Sequence, residues 1–103
     1  MDLNLKNKIA LITGASKGIG AAIAKTFAAE GVNLYLTARN TKQLETLKIE
    51  LQKKYSVEVI TIPLDLTEVD SQKILFENCK DINILINNAG DIPSGSLFDI
   101  DEE

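Results

Sequence analysis

Apolar runs of strand length alternate along this chain of 103 residues with stretches of helical periodicity. The strand-like runs are short, and they predict strands at 8–13, 33–38, 57–62 and 82–86. Between these runs, apolar residues recur every three or four positions, which is typical of helices that bury one face. This alternation predicts parallel strands joined by right-handed crossovers, with helices on both faces of the sheet. The predicted class is therefore α/β, in the order βαβαβαβ.

The first predicted helix, 18–30, carries small residues beside its larger apolar ones. Ile19, Ile23 and Phe27 recur every fourth residue and predict an apolar stripe on this helix. Ala24 and Ala28 lie beside that stripe and would let the helix lie close to a sheet. A glycine follows at position 31 and predicts the end of the helix.

The other elements show their own start signals. Asn40 with Gln43 resembles a capping box that opens a helix ending at Lys54, with leucines 44, 47 and 51 facing inward. Thr67 with Asp70 predicts the cap of a third, shorter helix that runs toward Cys79. The third strand begins with the alternating Val57–Val59, which suits a sheet edge. The continuous apolar run of Ile82–Ile86 predicts a strand that is buried on both faces.

Charge and composition exclude several classes of function. The formal net charge is −4 and the basic residues are interleaved with acids, so the sequence predicts no nucleic-acid partner. The sequence has no apolar run of membrane-spanning length and no signal core near Met1, which predicts a cytoplasmic protein without membrane contact. The single cysteine, Cys79, is expected to be a packing residue. Because the chain has no histidine, we expect no metal site and no Ser-His or Cys-His nucleophile pair.

The segment "TGASKGIG", Thr13 to Gly20, places three glycines directly after the first predicted strand. Glycine loses the most conformational freedom on folding, so the cluster indicates either a tight turn without a ligand or close backbone approach to an anion. The N-terminus of the following helix would present free N–H groups that bind phosphate. The Gly-x-x-x-Gly-x-Gly spacing differs from both Gly-x-Gly-x-x-Gly and the P-loop, which disfavours kinase-like phosphoryl transfer.

Two further motifs follow this loop in sequence: "LDL" at 64–66 and "NNAG" at 87–90. Together the three segments resemble the cofactor signatures of the short-chain dehydrogenase/reductase superfamily, in the same order and spacing. The resemblance spans nearly the whole chain. It implies a Rossmann-type doubly wound parallel sheet with strand order 3-2-1-4 that binds a nicotinamide dinucleotide.

The resemblance also assigns positions around that dinucleotide. Asp65 would meet the adenine amino group, with a neighbouring backbone contact from Leu66, and Asn88, Ala89 and Gly90 would lie near the ribose on the nicotinamide side. The pyrophosphate and adenosine ribose would contact Gly14, Ala15, Ser16, Lys17, Gly18, Ile19 and Gly20. Two structural alternatives remain open. Asp65 can serve as a turn carboxylate after a strand, and consecutive asparagines can hold loops by side-chain-to-backbone bonds.

Charge at the end of the second strand bears on the choice between NADP and NAD. NAD sites usually place an acid about twenty residues beyond the glycine loop, where it accepts both ribose hydroxyls. Here the strand ends in Thr37-Ala38-Arg39, without an acid. Arg39 can pair with a 2′-phosphate through its planar fork, and Lys17 can add a second cation. We therefore expect NADP, with NAD less favoured; the alternative is that both cations are solvated surface residues.

The family's catalytic residues, a Ser and a Tyr-x-x-x-Lys pair, have no counterpart in this sequence. Tyr35 is followed four residues later by Arg39, and Tyr55 by Val59. The resemblance implies catalytic residues beyond Glu103, so residues 1–103 are predicted to be an NAD(P)-binding domain truncated before the catalytic segment. Asp91 departs from the small or apolar residue that the family commonly has after "NNAG".

The predicted function is that of an NADP-dependent oxidoreductase, which transfers hydride between nicotinamide and a carbonyl or alcohol substrate. The full-length protein is expected to be a homo-oligomer with a small-molecule substrate. The alternative is a non-catalytic dinucleotide-binding module, or a pseudoenzyme whose later half lacks the Tyr-Lys pair.

Overall fold

A computed structural model describes residues 5–65 and 68–88 of the chain. Within these residues the elements are β1 (Ile9–Thr13), α1 (Gly18–Ala29), β2 (Asn33–Ala38), α2 (Thr41–Lys54), β3 (Val59–Pro63), α3 (Val69–Asn78) and β4 (Ile84–Ile86). The strands form one parallel sheet in the order β3-β2-β1-β4. The predicted Rossmann-type topology is confirmed.

The register of the sheet places the carboxyl ends of its strands level with one another. Thr13, the last residue of β1, pairs with Thr37 of β2. Ala38, the last residue of β2, pairs with Pro63 at the end of β3. The segments that leave these strands therefore start along one edge of the sheet, which is the usual ligand edge of an open α/β sheet.

The larger core lies between one face of the sheet and helices α1 and α2. It includes Ala10 and Ile12 of β1 together with Leu34 and Leu36 of β2. The inward leucines of α2 are buried as predicted, at positions 44, 47 and 51. The predicted cap of this helix is also present, since Asn40 Oδ1 accepts a hydrogen bond of 2.9 Å from the Gln43 backbone N–H.

The inward face of α1 differs from the predicted stripe. Its buried residues are Gly20, Ala24 and Ala28. Ile19 is 72% exposed, so its assignment to the apolar stripe was wrong. The small side chains allow the helix backbone to approach the sheet, and the larger Ile23 and Phe27 are only partly buried beside that contact. Close approach of the helix axis is decided by the smallest residues rather than by the most hydrophobic ones.

Strand β3 starts two residues later than predicted, because side chains satisfy the backbone donors at its beginning. The Glu58 N–H donates to the side-chain oxygen Oδ1 of Asn33 at 2.9 Å. The N–H of Val59, the first residue of β3, donates to Gln52 Oε1 of α2 at 2.9 Å. Pairing with β2 therefore begins at Val59, opposite Leu34. The expected position of β3 at an edge of the described sheet is confirmed.

Strand β4 also starts two residues later than predicted. The Ile9 N–H donates to the side-chain oxygen Oδ1 of Asn83 at 2.9 Å, and the Asn83 N–H donates to the Ile9 carbonyl at 2.8 Å. The Asn83 side chain thus replaces one backbone acceptor in the ladder between β1 and β4, and β4 begins at Ile84. The prediction of burial on both faces was wrong for the described part of the chain: Ile84–Ile86 are only partly buried, since β4 lies at the edge of the sheet described.

The second face of the sheet is covered by α3 in the described part of the chain. Leu75 and Cys79 pack there against Leu11 of β1. Cys79 is a packing residue as expected, and burial raises the pKa of its thiol to about 11. The N-cap of α3 is Glu68, without a side-chain cap bond, whereas the predicted cap Thr67 lies outside the described residues. Among the described helices, each is too short or too polar to cross a membrane.

Candidate functional site

A cleft of about 830 Å³ opens at the carboxyl edge of the sheet. It lies where β1, β2 and β3 end and where α1 and α2 begin. Its lining residues are Gly14, Ser16, Lys17, Gly18, Ala38, Arg39, Asn40, Gln43, Leu64, Asp65 and Asn88. The volume falls in the range of sites for small molecules and cofactors, about 300–1,000 Å³. The fold thus brings residues from four separate segments of the sequence to one concave surface.

Glycine is required at two positions of the loop by backbone conformation. Gly14 has a φ of 62° and Gly18 a φ of 63°, which lie in the left-handed region. L side chains rarely adopt that region because the Cβ atom approaches the following carbonyl. The space around a Cβ at Gly18 is open, so conformation alone favours glycine there.

Gly20 is required for a different reason, which is the lack of space. A Cβ at this position would overlap the carbonyl oxygen of Gly14 and would lie 2.8 Å from the side-chain nitrogen of Asn88. The first turn of α1 therefore lies against the start of the loop, with no side chain between them. The three glycines of the motif thus serve two distinct physical needs.

A buried hydroxyl connects the loop to the end of β4. Thr13 is fully buried, and its Oγ1 accepts a hydrogen bond of 2.8 Å from the Asn88 N–H. The same hydroxyl lies within donating distance of the Ile86 carbonyl at 3.4 Å and of Asn87 Oδ1 at 3.2 Å. Asn88 Nδ2 in turn donates to the Gly14 carbonyl at 3.2 Å. These bonds support the structural reading of Asn88, since its side chain holds the glycine loop.

The next residue of the loop is anchored to β2. The Ala15 N–H donates to the Thr37 carbonyl at 3.2 Å, and the Ala15 side chain is fully buried in the larger core. Ala15 therefore does not line the cleft. The buried Ala15 side chain and its backbone bond to β2 hold the loop against the end of the sheet.

The N-terminus of α1 faces the cleft without competing acidic groups. Its N-cap is Lys17, whose side chain makes no cap hydrogen bond, and the first turn contains no acidic residue. Gly18 lines the cleft at the first position of the helix. The first N–H groups of a helix lack intrahelical acceptors and carry the positive end of its dipole. This end of the cleft can therefore hold an anionic group.

Two cations and one carboxylate supply the charged side chains of the lining. Lys17 and Arg39 are exposed, and among the described residues neither forms an ion pair. Asp65 is partly buried and follows Leu64, whose N–H donates to the Ala38 carbonyl at 3.1 Å. The Asp65 carbonyl also accepts the Glu68 N–H at 3.2 Å, directly before α3.

The structure gathers most of the residues singled out from the sequence and separates a few of them. The buried Ala15 and Gly20 do not line the cleft, and neither does the exposed Ile19. Leu66, Ala89, Gly90 and Asp91 lie outside the described residues. The predicted site residues that do line the cleft are Gly14, Ser16, Lys17, Gly18, Arg39, Asp65 and Asn88.

Sequence reasoning missed Gln43 and Asn40 as lining residues. Both were recognised only as a helix start, yet they line the cleft beside Arg39. The available signal was their position directly after Arg39, because a helix that begins at the end of β2 places its first turn at the same sheet edge.

Comparison with known proteins agrees with this architecture. Residues 8–103 match the family described as short chain dehydrogenase. An uncharacterized oxidoreductase of Staphylococcus saprophyticus is 36% identical over 105 residues, which cover 98% of this chain and 45% of that protein. The chain thus spans less than half the length of this relative.

Two solved structures show the same fold. L-sorbose reductase from Gluconobacter frateurii, in complex with NADPH and L-sorbose, has 36% identity and a TM-score of 0.83, over 87% of this chain and 36% of that one. A short-chain dehydrogenase from Sphingobium yanoikuyae, in complex with NADPH, has 40% identity and a TM-score of 0.73, over 80% of this chain and 33% of that one. With the matched motifs and the strand order, these likenesses show that the chain belongs to the short-chain dehydrogenase family.

Proposed function

We propose that this chain is the cofactor-binding part of an NADP(H)-dependent oxidoreductase, which acts on a small carbonyl or alcohol substrate. The observation that carries the proposal is the cleft itself, which joins the glycine loop to Arg39, Asp65 and Asn88 at the carboxyl edge of the sheet. The two NADPH complexes of related proteins support the choice of cofactor.

The residues of the cleft fit a dinucleotide. The first turn of α1 offers unpaired N–H groups to a pyrophosphate, and the absence of a side chain at Gly20 keeps the loop close to the helix. In this proposal the pyrophosphate and the adjoining ribose contact the loop from Gly14 to Gly20. Ala15 would act indirectly, because its buried side chain holds the loop against the core. Ile19 would act through its backbone, because the Ile19 side chain does not line the cleft.

The remaining contacts follow the length of the cofactor. Asp65 accepts a hydrogen bond from the adenine amino group, next to a backbone contact of Leu66. Asn88, Ala89 and Gly90 lie along the ribose on the nicotinamide side. For Asn88 this role comes in addition to its bond to the Gly14 carbonyl.

The preference for NADP rests on charge at the end of β2. Arg39 follows Ala38 directly, lines the cleft and has no ion-pair partner among the described residues. Its guanidinium can donate two parallel hydrogen bonds to a ribose 2′-phosphate. A contact of this kind is worth about 1.5–3 kcal/mol, which corresponds to a preference of roughly tenfold to a hundredfold. Lys17 adds less, because its ammonium is flexible and strongly hydrated.

The bound nicotinamide would supply the hydride chemistry, and this chain's own residues would bind and orient it. We propose that the catalytic Ser and Tyr-x-x-x-Lys belong to a segment beyond Glu103, since this chain spans only part of its relatives. Homo-oligomeric assembly and a cytoplasmic location of the full-length protein remain predictions.

The test is the ratio of the dissociation constants for NAD⁺ and NADP⁺, measured by calorimetry on the full-length protein. We expect Arg39→Ala to lose most of the NADP preference and Arg39→Asp to reverse it. The matched control is Lys53→Asp, because Lys53 is exposed in the last turn of α2 and does not line the cleft. Equal affinity of the unaltered protein for both cofactors would contradict the assignment of NADP.

A second candidate function is a dinucleotide-binding module without catalysis. These 103 residues contain no Tyr-x-x-x-Lys pattern, which both candidates predict. Both candidates predict cofactor binding, so the discriminating measurement is oxidation of NADPH by the full-length protein across a panel of carbonyl compounds. Binding without turnover on every compound, together with a full-length sequence that lacks the Tyr-Lys pair, would favour the module.

A further inference from the structure

We propose that Gln43 is a specificity-determining residue of the cleft, which donates from its side-chain amide to the phosphate on the adenosine ribose of NADP. The inference rests on the proposed function, and it adds a residue that none of the sequence motifs contains. Three observations support it: the position of Gln43, the lack of a hydrogen-bond partner for its side-chain amide among the described residues, and the charges around it.

The position of Gln43 is fixed by the start of α2. Gln43 is the third residue of that helix, and its N–H donates to Asn40 Oδ1 at 2.9 Å. Asn40 directly follows Arg39, so the cap holds the first turn of α2 beside the end of β2. Arg39, Asn40 and Gln43 all line the cleft. A group that reaches Arg39 from within the cleft therefore passes along the first turn of α2.

Gln43 also marks the boundary between the cleft and a second hollow. A smaller groove of about 310 Å³ runs between α1 and α2, where Lys42 contributes a cation and Lys25 is paired with Glu50 at 3.6 Å. Ser16 and Gln43 line both the cleft and this groove. Gln43 thus stands on one side of the passage between them, with Ser16 of the glycine loop on the other. A phosphate held by Arg39 would then lie in the same cleft as Gln43.

The Gln43 amide is available to a ligand. Its side chain is exposed and makes no hydrogen bond within the described residues. The first turn of α2 contains no acidic residue that would repel a phosphate. An amide offers two N–H donors, so it binds a doubly charged phosphate more strongly than the hydroxyl in the same place in NAD. The side chain therefore contributes to discrimination without carrying a charge itself.

The experiment changes the charge at this position in both directions. In the full-length protein, dissociation constants for NADP⁺ and NAD⁺ are measured for Gln43→Glu and Gln43→Lys. The matched controls are Gln52→Glu and Ile49→Lys, which place the same charges on exposed positions of α2 outside the cleft. Since Gln52 Oε1 accepts from the Val59 N–H, glutamate keeps an acceptor there.

We expect the NADP preference to follow the charge at position 43. Glutamate should lower the ratio of the NAD⁺ to the NADP⁺ dissociation constant by at least about fivefold, and lysine should raise it by a similar factor. A charge beside the proposed phosphate would act strongly on the phosphate and little on a hydroxyl. A purely structural role would move both affinities together, whatever the sign of the introduced charge.

The outcomes separate this inference from the function on which it rests. If the unaltered protein prefers NADP but both Gln43 variants match their controls, Gln43 is not a determinant and the proposed function stands. If the Gln43 variants weaken both cofactors equally, the residue acts through the fold and the inference is again overturned. If the unaltered protein has no preference for NADP, the cofactor assignment and the inference fall together.

Discussion

The glycine loop, Gly14–Gly20, and the cleft rim, formed by Arg39 and Gln43, face the same cleft but are held in different ways. The loop is tied to the sheet by the bonds of Ala15 to Thr37 and of Asn88 to Gly14. The rim side chains are exposed and have no hydrogen-bond or ion-pair partner among the described residues. One region is built from backbone against a packed interior, and the other consists of side chains that extend into solvent.

This difference separates two tasks that a cofactor site must perform. The loop provides N–H donors and shape that any dinucleotide can use, so it determines whether a dinucleotide binds. The rim provides charge and hydrogen bonds to one substituent, so it determines which dinucleotide is preferred. Apart from Lys17, whose cation adds to the NADP preference, changes in the loop should therefore affect both cofactors equally, whereas changes in the rim should alter only their ratio.

The largest effect is expected for Gly20→Val. The new side chain would overlap the Gly14 carbonyl and crowd Asn88, so the loop must leave its position. We expect binding of both NADP⁺ and NAD⁺ to fall below detection in calorimetry. The control is Ala22→Val, which adds the same branched side chain at an exposed position of α1. Retention of normal affinity in Gly20→Val would remove the steric argument for the loop.

A second test concerns the rim through its sensitivity to salt. The Debye length falls from about 30 Å at about 0.01 M salt to about 3 Å at about 1 M, and exposed charges such as Arg39 are then screened. The NADP preference should therefore fall by roughly tenfold across this range, and Arg39→Ala should show a nearly flat ratio. A preference that does not change with salt would indicate that discrimination resides in the anchored loop instead.

Asp65 offers an intermediate effect, since it is partly buried between the two regions. If its carboxylate accepts from adenine, Asp65→Ala should weaken both dinucleotides by about 1–3 kcal/mol, the cost of leaving a partner unpaired. Asp65→Asn serves as a control of similar shape. Binding of nicotinamide mononucleotide should barely change, and an equal loss for this shorter ligand would point to Asp65 as a turn residue only.

The smallest effect on cofactor binding is expected for Thr13→Val, because the hydroxyl acts through the loop. The substitution leaves the Asn88 N–H without its buried acceptor, which should lower the free energy of unfolding by about 1–3 kcal/mol. Affinity for both cofactors should fall by the same factor, less than about tenfold. Thr13→Ser keeps the hydroxyl and should recover affinity; a changed NADP-to-NAD ratio in either variant would contradict the division between loop and rim.

Much of the fold was predictable because its local signals agree with the tertiary contacts. The limits of β2 and the cap and leucines of α2 were predicted correctly, since they depend on residues close in sequence. The starts of β3 and β4 were not, because the side chains of Asn33 and Asn83 accept backbone hydrogen bonds there. Both bonds join residues far apart in sequence, and the periodicity of a single segment carries no information about them.

Parts of the candidate site were also predictable from local sequence, and other parts were not. The glycine spacing and the charge of Arg39 could be read directly, because they express local backbone needs and residue chemistry. The exposure of Ile19 could not, since periodicity identifies a helical face only where the whole helix lies against a sheet. The neighbourhood of Gln43 and Arg39 needed two signals together, the capping pattern and the end of β2, because a capping pattern alone describes a helix start and says nothing of what lies beside it.

The sequence by itself determined the order of elements, the parallel sheet and the three motifs that identify the family, because periodicity, capping and glycine placement act over a few neighbouring residues. The tertiary structure decided which residues share the cleft. Register places the ends of β1, β2 and β3 along one edge, and the link from Thr13 to Asn88 joins positions 75 residues apart. Such proximity arises from the packing of helices on both faces of a twisted sheet, a global balance that no local pattern contains.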